Sequence, residues 1–210
     1  MNEEKRDFNK AAASWDSGPR VKLADDIARA IRDELSPTKD MNILDFGCGT
    51  GLLAMNLQPY VGTVTGVDSS PGMLEVFESK IEAMHKTNVS VRHLDLEKGD
   101  HLEGNYHLIT SSMTLHHVRE IKPLLDQFYR ILTPGGHLAL ADLDLDDGQF
   151  HEDSTGVFHN GFDRAELVKA FETAGFEEVS ERTATSMKKP GADGVQREFT
   201  IVLITGQKKK

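Results

Sequence analysis

Three glycines at alternate positions, Gly47, Gly49 and Gly51, follow at once on a short apolar run, Asn42-Ile43-Leu44-Asp45-Phe46. A strand ending in such a loop must turn sharply, and glycine allows backbone angles and close approaches that a Cβ forbids. A helix is expected from about Leu52 to Leu57, so the loop also carries the unpaired N–H groups and partial positive charge of a helix N-terminus. Three alternating glycines exceed what a tight strand-to-helix turn needs, and the loop reads as a ligand cradle. The dinucleotide fingerprint G-x-G-x-x-G requires a third glycine where this chain has Leu52, and no Gly-Lys-Ser/Thr of a P-loop follows. Asp45, two residues before the first glycine, would repel a pyrophosphate. It is better placed to orient the loop or to meet a cation.

The rest of the chain alternates in the same way. Helices are expected over residues 3–13 and 20–35, broken at Ser17-Gly18-Pro19. The second has Val21, Leu23, Ala24, Ile27, Ala28, Ile31 and Leu35 spaced for one buried face. Strands are expected at 42–46, 61–67, 89–94, 106–110 and 137–143. Between them lie helices from Pro71 to about Lys86, capped by Ser69 or Ser70, and from Ile121 to Leu132. Strand–helix alternation implies right-handed βαβ crossovers and a parallel sheet covered on both faces. After a helix begun by Asp163-Arg164-Ala165-Glu166 and stopped at Gly175, two strands (176–187 and 199–205) have no helix between them and must form an antiparallel hairpin. The expectation is an α/β, doubly wound, Rossmann-like seven-stranded sheet, mostly parallel with one antiparallel strand.

Ile43-Leu44-Asp45-Phe46-Gly47-Cys48-Gly49-Thr50-Gly51 resembles the first motif of the class I S-adenosylmethionine-dependent methyltransferases of small molecules. Thr65-Gly66-Val67-Asp68-Ser69-Ser70-Pro71-Gly72-Met73-Leu74 is similar to the second motif. Asp68 lies 23 residues after Asp45, one βαβ step, close to the ~20 expected of a ribose acid. Val91-Arg92-His93-Leu94-Asp95-Leu96 resembles the third motif. Ile109-Thr110-Ser111-Ser112-Met113-Thr114-Leu115-His116-His117-Val118 looks like the segment after the fourth strand, and Leu132-Thr133-Pro134-Gly135-Gly136-His137-Leu138 like the turn before the fifth. The resemblance spans about residues 5–205.

The resemblance implies a cofactor, S-adenosyl-L-methionine, leaving as S-adenosyl-L-homocysteine. It implies a cofactor site of Asp45, Gly47, Cys48, Gly49, Thr50, Gly51, Asp68, Ser69, Met73, Asp95, Leu96 and Ser111. Asp68 would hold the ribose diol, because both carboxylate oxygens accept hydrogen bonds. Asp95 would accept from the adenine amino group, while Met73 and Leu74 would line the ring. Residues 8–20 look like the family's N-terminal lid, with Trp15 over the cofactor and Arg20 on the methionine carboxylate.

The acceptor lies beyond the carboxyl ends of the strands in such sheets. Residues 146–162 are too long for a plain connection of about 2–6 residues and mix phenylalanines, histidines and acids between glycines. A lid with an apolar wall and a proton acceptor fits that mixture. His159 and His151 are the expected catalytic residues, with His117 in reserve, because histidine is matched to base work near neutral pH. The expected organisation is one domain, 1–210, made of a helical lid (1–36), a cofactor-binding core (41–145), an acceptor-side loop (146–162), and a helix with hairpin (163–210).

Composition excludes other classes. With 24 Lys+Arg against 34 Asp+Glu the net charge is −10, and the basic clusters, Lys188-Lys189 and Lys208 to Lys210, are small. A nucleic-acid substrate is therefore not expected. No run approaches the ~18 apolar residues of a membrane helix, and MNEEKRDFNK lacks an apolar signal core. Cys48 is the single cysteine. A cytoplasmic monomer or homodimer acting on a small molecule is the expectation. No metal is expected, since the acidic run Asp142 to Gly148 fails the calcium-loop register. The competing readings are a nicotinamide-dependent oxidoreductase, a non-catalytic S-adenosylmethionine-binding module and a protein methyltransferase.

Overall fold

The computed structural model describes residues 7–210. Strands β1 (Asn42–Phe46), β2 (Thr63–Asp68), β3 (Val89–His93), β4 (Tyr106–Ser112), β5 (Leu132–Leu143), β6 (Glu177–Pro190) and β7 (Gln196–Gln207) form one sheet in the order β3-β2-β1-β4-β5-β7-β6. The first five are parallel to one another. β7 runs against both β5 and β6 and is the one antiparallel member.

Each inner strand is buried on both sides, which is why the runs read as nearly continuous apolar sequence. Ile43 of β1 joins Ile27, Ile31, Leu57 and Phe77 under helices α2 (Gly18–Leu35), α3 (Leu52–Leu57) and α4 (Pro71–Ala83). Its neighbour Leu44 joins Leu125, Phe128 and Phe171 under α5 (Ile121–Ile131) and α6 (Arg164–Thr173). β7 repeats the alternation, with Ile201 and Leu203 on the first face and Val202 and Ile204 on the second. Local chemistry sets the helix starts. Ser70 Oγ accepts from Met73 N with Pro71 in the first turn of α4, and Asp163 caps α6 through Glu166 N at 3.0 Å.

Several boundaries differ from the sequence expectation: β2 runs Thr63–Asp68 and not 61–67, β4 extends to Ser112, and α4 ends at Ala83. Three further differences have clear causes. The N-terminal helix is only α1 (Phe8–Ala11) followed by a 3₁₀ turn, Ala12–Ser14; residues 3–6 of the expected helix lie outside the described residues. β5 starts at Leu132 and not His137, because the Gly135-Gly136 stretch exchanges backbone bonds of 2.9 and 2.8 Å with Lys208 just after β7. The hairpin is also longer, with pairs Lys188↔Glu198, Lys189↔Arg197 and Pro190↔Gln196. Pro190 is tolerated because β6 is an edge strand whose outer side needs no donor.

Phe77 is fully buried, and a Cβ at either Gly51 or Gly66 would run into its ring. Phe77→Ala is expected to lower the unfolding free energy by about 3–5 kcal/mol, read from urea denaturation.

Candidate active site

The chain reverses its direction of travel across the sheet between β1 and β4, and the crevice of a doubly wound fold opens there at the strands' carboxyl ends. Gly47, Gly49 and Gly51 have φ of +67°, +53° and +83°, all in the left-handed region that favours glycine. The amides of Gly47 and Cys48 both donate to Val67 O, at 2.8 and 3.1 Å, so the loop is tied to the end of β2. A Cβ on Gly49 would meet nothing nearer than Met73 Sδ at 4.0 Å. That glycine is required by its conformation, and the space above it is open.

Three acids stand at successive strand ends. Asp45 is 1 % exposed; Thr110 Oγ1 donates to its Oδ1 at 2.8 Å, while Oδ2 is buried with no hydrogen-bond partner among the described residues. Burial, with the charge of Asp68 nearby, pushes its carboxyl up to about 7 despite the Thr110 bond. Asp68 accepts from Gly49 N through Oδ2 and from Ser70 N through Oδ1, each at 2.8 Å. Each oxygen keeps a second lone pair for a further donor. Burial raises its pKa as well, against those backbone bonds. Asp95, 6 % exposed, caps a short turn through Glu97 N at 3.1 Å and lies 3.3 Å from Lys98.

The neighbouring expected residues divide between lining and structure. Met73 is buried beside Gly49, and Leu96 is half-buried beside Asp95. Ser69 is exposed, its carbonyl 3.2 Å from His93 Nε2. Ser111 Oγ donates to Phe46 O at 2.8 Å and laces β4 to β1. Burial raises the Cys48 thiol well above its usual range, so it stays protonated.

The N-terminal segment is latched over this mouth. Asn9 Oδ1 accepts from Ser70 Oγ and Gly72 N, at 2.9 and 2.8 Å. Asp16 accepts from Thr50 Oγ1 at 2.5 Å and is ion-paired with Lys80, whose Nζ also donates to Thr50 O at 2.7 Å. Arg20 stacks 4.2 Å over the Trp15 ring and donates to Trp15 O, so its guanidinium steadies this segment. Sequence reasoning singled out Trp15 and Arg20 here but not Asn9, Asp16 or Lys80, because nothing local marks a polar residue whose partner is dozens of positions away.

Next to the glycine loop the chain after β4 bends at Met113, whose φ of +54° is unusual for a residue with a Cβ. Thr114 Oγ1 reaches Gly47 O at 3.3 Å, setting the next turn, Leu115–His117, against the glycine loop. His117 Nδ1 meets Gly156 O at 2.7 Å, and its ring lies edge-on to Phe8 with centroids 5.2 Å apart. His151 packs 4.8 Å from the ring of His116 and 4.9 Å from that of Phe150. His159 is different: its Nε2 lies 2.9 Å from Val118 O and its ring stacks on Phe162, so it ties the loop down. Asp142, from the run first weighed as a calcium loop, instead turns inward to His116, while Asp144 binds Arg164 and Thr200. The shallow depression lined by His101, Glu103 and Arg130 lies before β4, at the opposite end of the sheet.

A doubly wound sheet with a glycine loop after β1 and acids ending or following β1, β2 and β3 defines a nucleotide-cofactor-binding α/β protein. The chain belongs to the methyltransferase-domain family, whose model matches residues 20–181, within the class I S-adenosylmethionine-dependent methyltransferases. An uncharacterised methyltransferase of Schizosaccharomyces pombe is 31% identical over 152 residues, covering 64% of this chain and 52% of that protein. The O-methyltransferase rstn1 of Aspergillus nomiae is 30% identical over 157 residues, 70% of this chain and 68% of that one. Phosphoethanolamine N-methyltransferase 2 of Haemonchus contortus, solved with S-adenosyl-L-methionine, superposes with a TM-score of 0.71 at 17% identity, over 87% of this chain and 52% of that one. The chain spans about half the length of several curated relatives it matches.

Asp45 generates a stability prediction. Its folded pKa of about 7 exceeds the ordinary 3.8, so the folded state holds the proton more tightly. The stability this contributes is fully present below the ordinary value and is lost as pH rises through about 7. Asp45→Asn keeps an acceptor for Thr110 and carries no charge. In ligand-free protein it is expected to raise Tm above neutral pH and to flatten the decline of Tm from mildly acidic to mildly alkaline pH, measured by calorimetry.

Proposed function

We propose that this protein transfers the methyl group of S-adenosylmethionine to a small-molecule acceptor. One observation carries the reading: a glycine loop open above Gly49 is flanked by Asp45, whose buried Oδ2 has no partner among the described residues, and by Asp68, whose oxygens retain free lone pairs. That donor set suits a cofactor with a cationic amino acid end and a vicinal diol, and opposes a pyrophosphate. In this reading Asp45 lies toward the ammonium, Asp68 takes the diol, Asp95 takes the adenine amino group, and the segment up to residue 36 serves as the lid. When bound, the cofactor supplies an intrinsically electrophilic sulfonium methyl. The chain then has to align the acceptor, exclude water and accept a proton where the nucleophile carries one.

His117 and His151 line the acceptor side of this site, while His159 positions the loop that bears His151. The net charge of −10 supports a small molecule over nucleic acid. The named relatives carry O- and N-methyltransferase names, so the acceptor atom differs among proteins of this fold. Among the described residues no helix is long and apolar enough to cross a membrane.

Calorimetric titration tests the cofactor. S-adenosylmethionine and S-adenosylhomocysteine are expected to bind, and NAD much more weakly; tighter NAD binding would return the site to the oxidoreductases. Asp68→Ala removes a charge-assisted contact of about 1.5–3 kcal/mol, an expected loss of roughly 10- to 150-fold in affinity. Asp95→Ala is expected to weaken the adenosyl cofactor and to reduce discrimination against its inosine analogue, in competition binding. Release of S-adenosylhomocysteine from metabolite fractions, with mass spectrometry of the product, separates catalysis from cofactor binding alone.

A further inference from the structure

His116 is 2 % exposed at the turn after β4, and its Nδ1 lies 2.7 Å from Asp142 Oδ1. Asp142, equally buried at the end of β5, also accepts from Leu115 N at 2.8 Å, His116 N at 3.3 Å and Leu143 N at 2.7 Å. Burial would raise this carboxyl, but the His116 ring and the backbone donors outweigh it and hold Asp142 below the ordinary value. Asp142 is therefore ionised and accepts, which puts a proton on His116 Nδ1. Whenever the ring is uncharged its lone pair is then on Nε2, which makes no hydrogen bond within the described residues. The ring lies between those of His117, at 4.1 Å, and His151, at 4.8 Å. Thr114, two residues earlier, touches the glycine loop.

We propose that His116 Nε2, with the ring positioned by Asp142, takes the proton of the methyl acceptor, whose nucleophile is a hydroxyl. This rests on the methyl-transfer reading above. The balance is complete without another reactant. The acceptor's O–H proton passes to Nε2, an oxygen lone pair forms the new carbon–oxygen bond, and the donor's carbon–sulfur bond breaks with its electron pair going to sulfur. Positive charge thereby moves from the sulfonium to an imidazolium in contact with Asp142. The other histidines have less to offer. His117 leans on a neutral carbonyl through Nδ1, and His159 spends Nε2 on Val118 O. A tertiary amine or thioether acceptor, lacking a proton, would give the dyad nothing to do.

The test needs no knowledge of the acceptor. Long-range 1H–15N NMR on the ¹⁵N-labelled full chain, with His116→Asn to assign the signal, reads the tautomer of the ring and the surroundings of Nε2. The titratable groups facing it are Asp142 of β5, His117 of its own turn and His151 of the loop. The expected tautomer of the uncharged ring is Nδ1–H, a preference lost in Asp142→Ala. The Nε2 resonance is expected to move on exchange of S-adenosylhomocysteine for saturating S-adenosylmethionine, because the sulfonium places a positive charge near that nitrogen. The ring resonances of His85 and His101 are expected to be the same in both complexes. An Nε2–H tautomer, or an Nε2 resonance identical in both complexes, overturns the proposal; a tautomer unchanged in Asp142→Ala removes Asp142 from its positioning role. Calorimetry on the same samples separates the failures. Binding with an unchanged Nε2 resonance sinks this proposal alone, whereas absence of cofactor binding sinks the methyl-transfer reading and this proposal with it.

Discussion

The carbonyl of Val67 supports the cofactor end of the molecule. It receives the amides of both Gly47 and Cys48, so one acceptor at the tip of β2 sets where the loop after β1 leaves the sheet. Gly49 then reaches Asp68, the next residue of β2, and Gly51 closes back on Cys48 O at 2.8 Å. A loop of three left-handed residues has little intrinsic order. It acquires a fixed shape only because β1 and β2 are parallel neighbours in register, with Phe46 opposite Val67. The carboxylates of Asp45 and Asp68 come close for the same reason. Their burial is costly without a cation, and the raised pKa of each records chiefly that burial, with the Asp68 charge adding to it at Asp45.

A second layer of order comes from β4 and β5. Ser112 pairs with Ala141, and Met113 N donates to Ala141 O at 2.8 Å. The turn bearing His116 is thereby aligned with Asp142 on the adjacent strand. The loop after β5 is then hung on that turn: Phe158 N donates to His116 O at 2.9 Å and His117 Nδ1 meets Gly156 O. The glycine loop and the loop after β5 are thus both fastened to one element, the segment from Ser112 to Val118.

What was legible in the sequence was what local pattern determines. The strand–loop–helix at 42–57, the cap at Ser70 and the helix-free hairpin each depend on neighbours in the chain, and β1 and α3 fall on the expected residues. The hairpin's length was not legible, because Lys188, Lys189 and Pro190 look like a turn until an edge position excuses a proline and charged side chains. The site divides similarly. Glycines and strand-end acids announce themselves, but the partner of His116 is 26 residues away. Asp142 stood in a run whose spacing invited a metal reading, and that regularity hid the fact that strand alternation sends its acids to different places. A polar residue at the same level of two adjacent strand ends, His116 and Asp142, is the signal that would have found the pair.

β7 is the last of the seven strands in the chain, yet it is not at the margin of the sheet; it is wedged between β5 and β6. A chain emerging from the ribosome therefore carries β6 before β6 has anything to pair with. Meanwhile β5, apolar on both faces, waits with an open edge. Unpaired edges of this kind attract other chains. Closure of this sheet consequently waits on residues 196–207, the strand that joins β6 to β5.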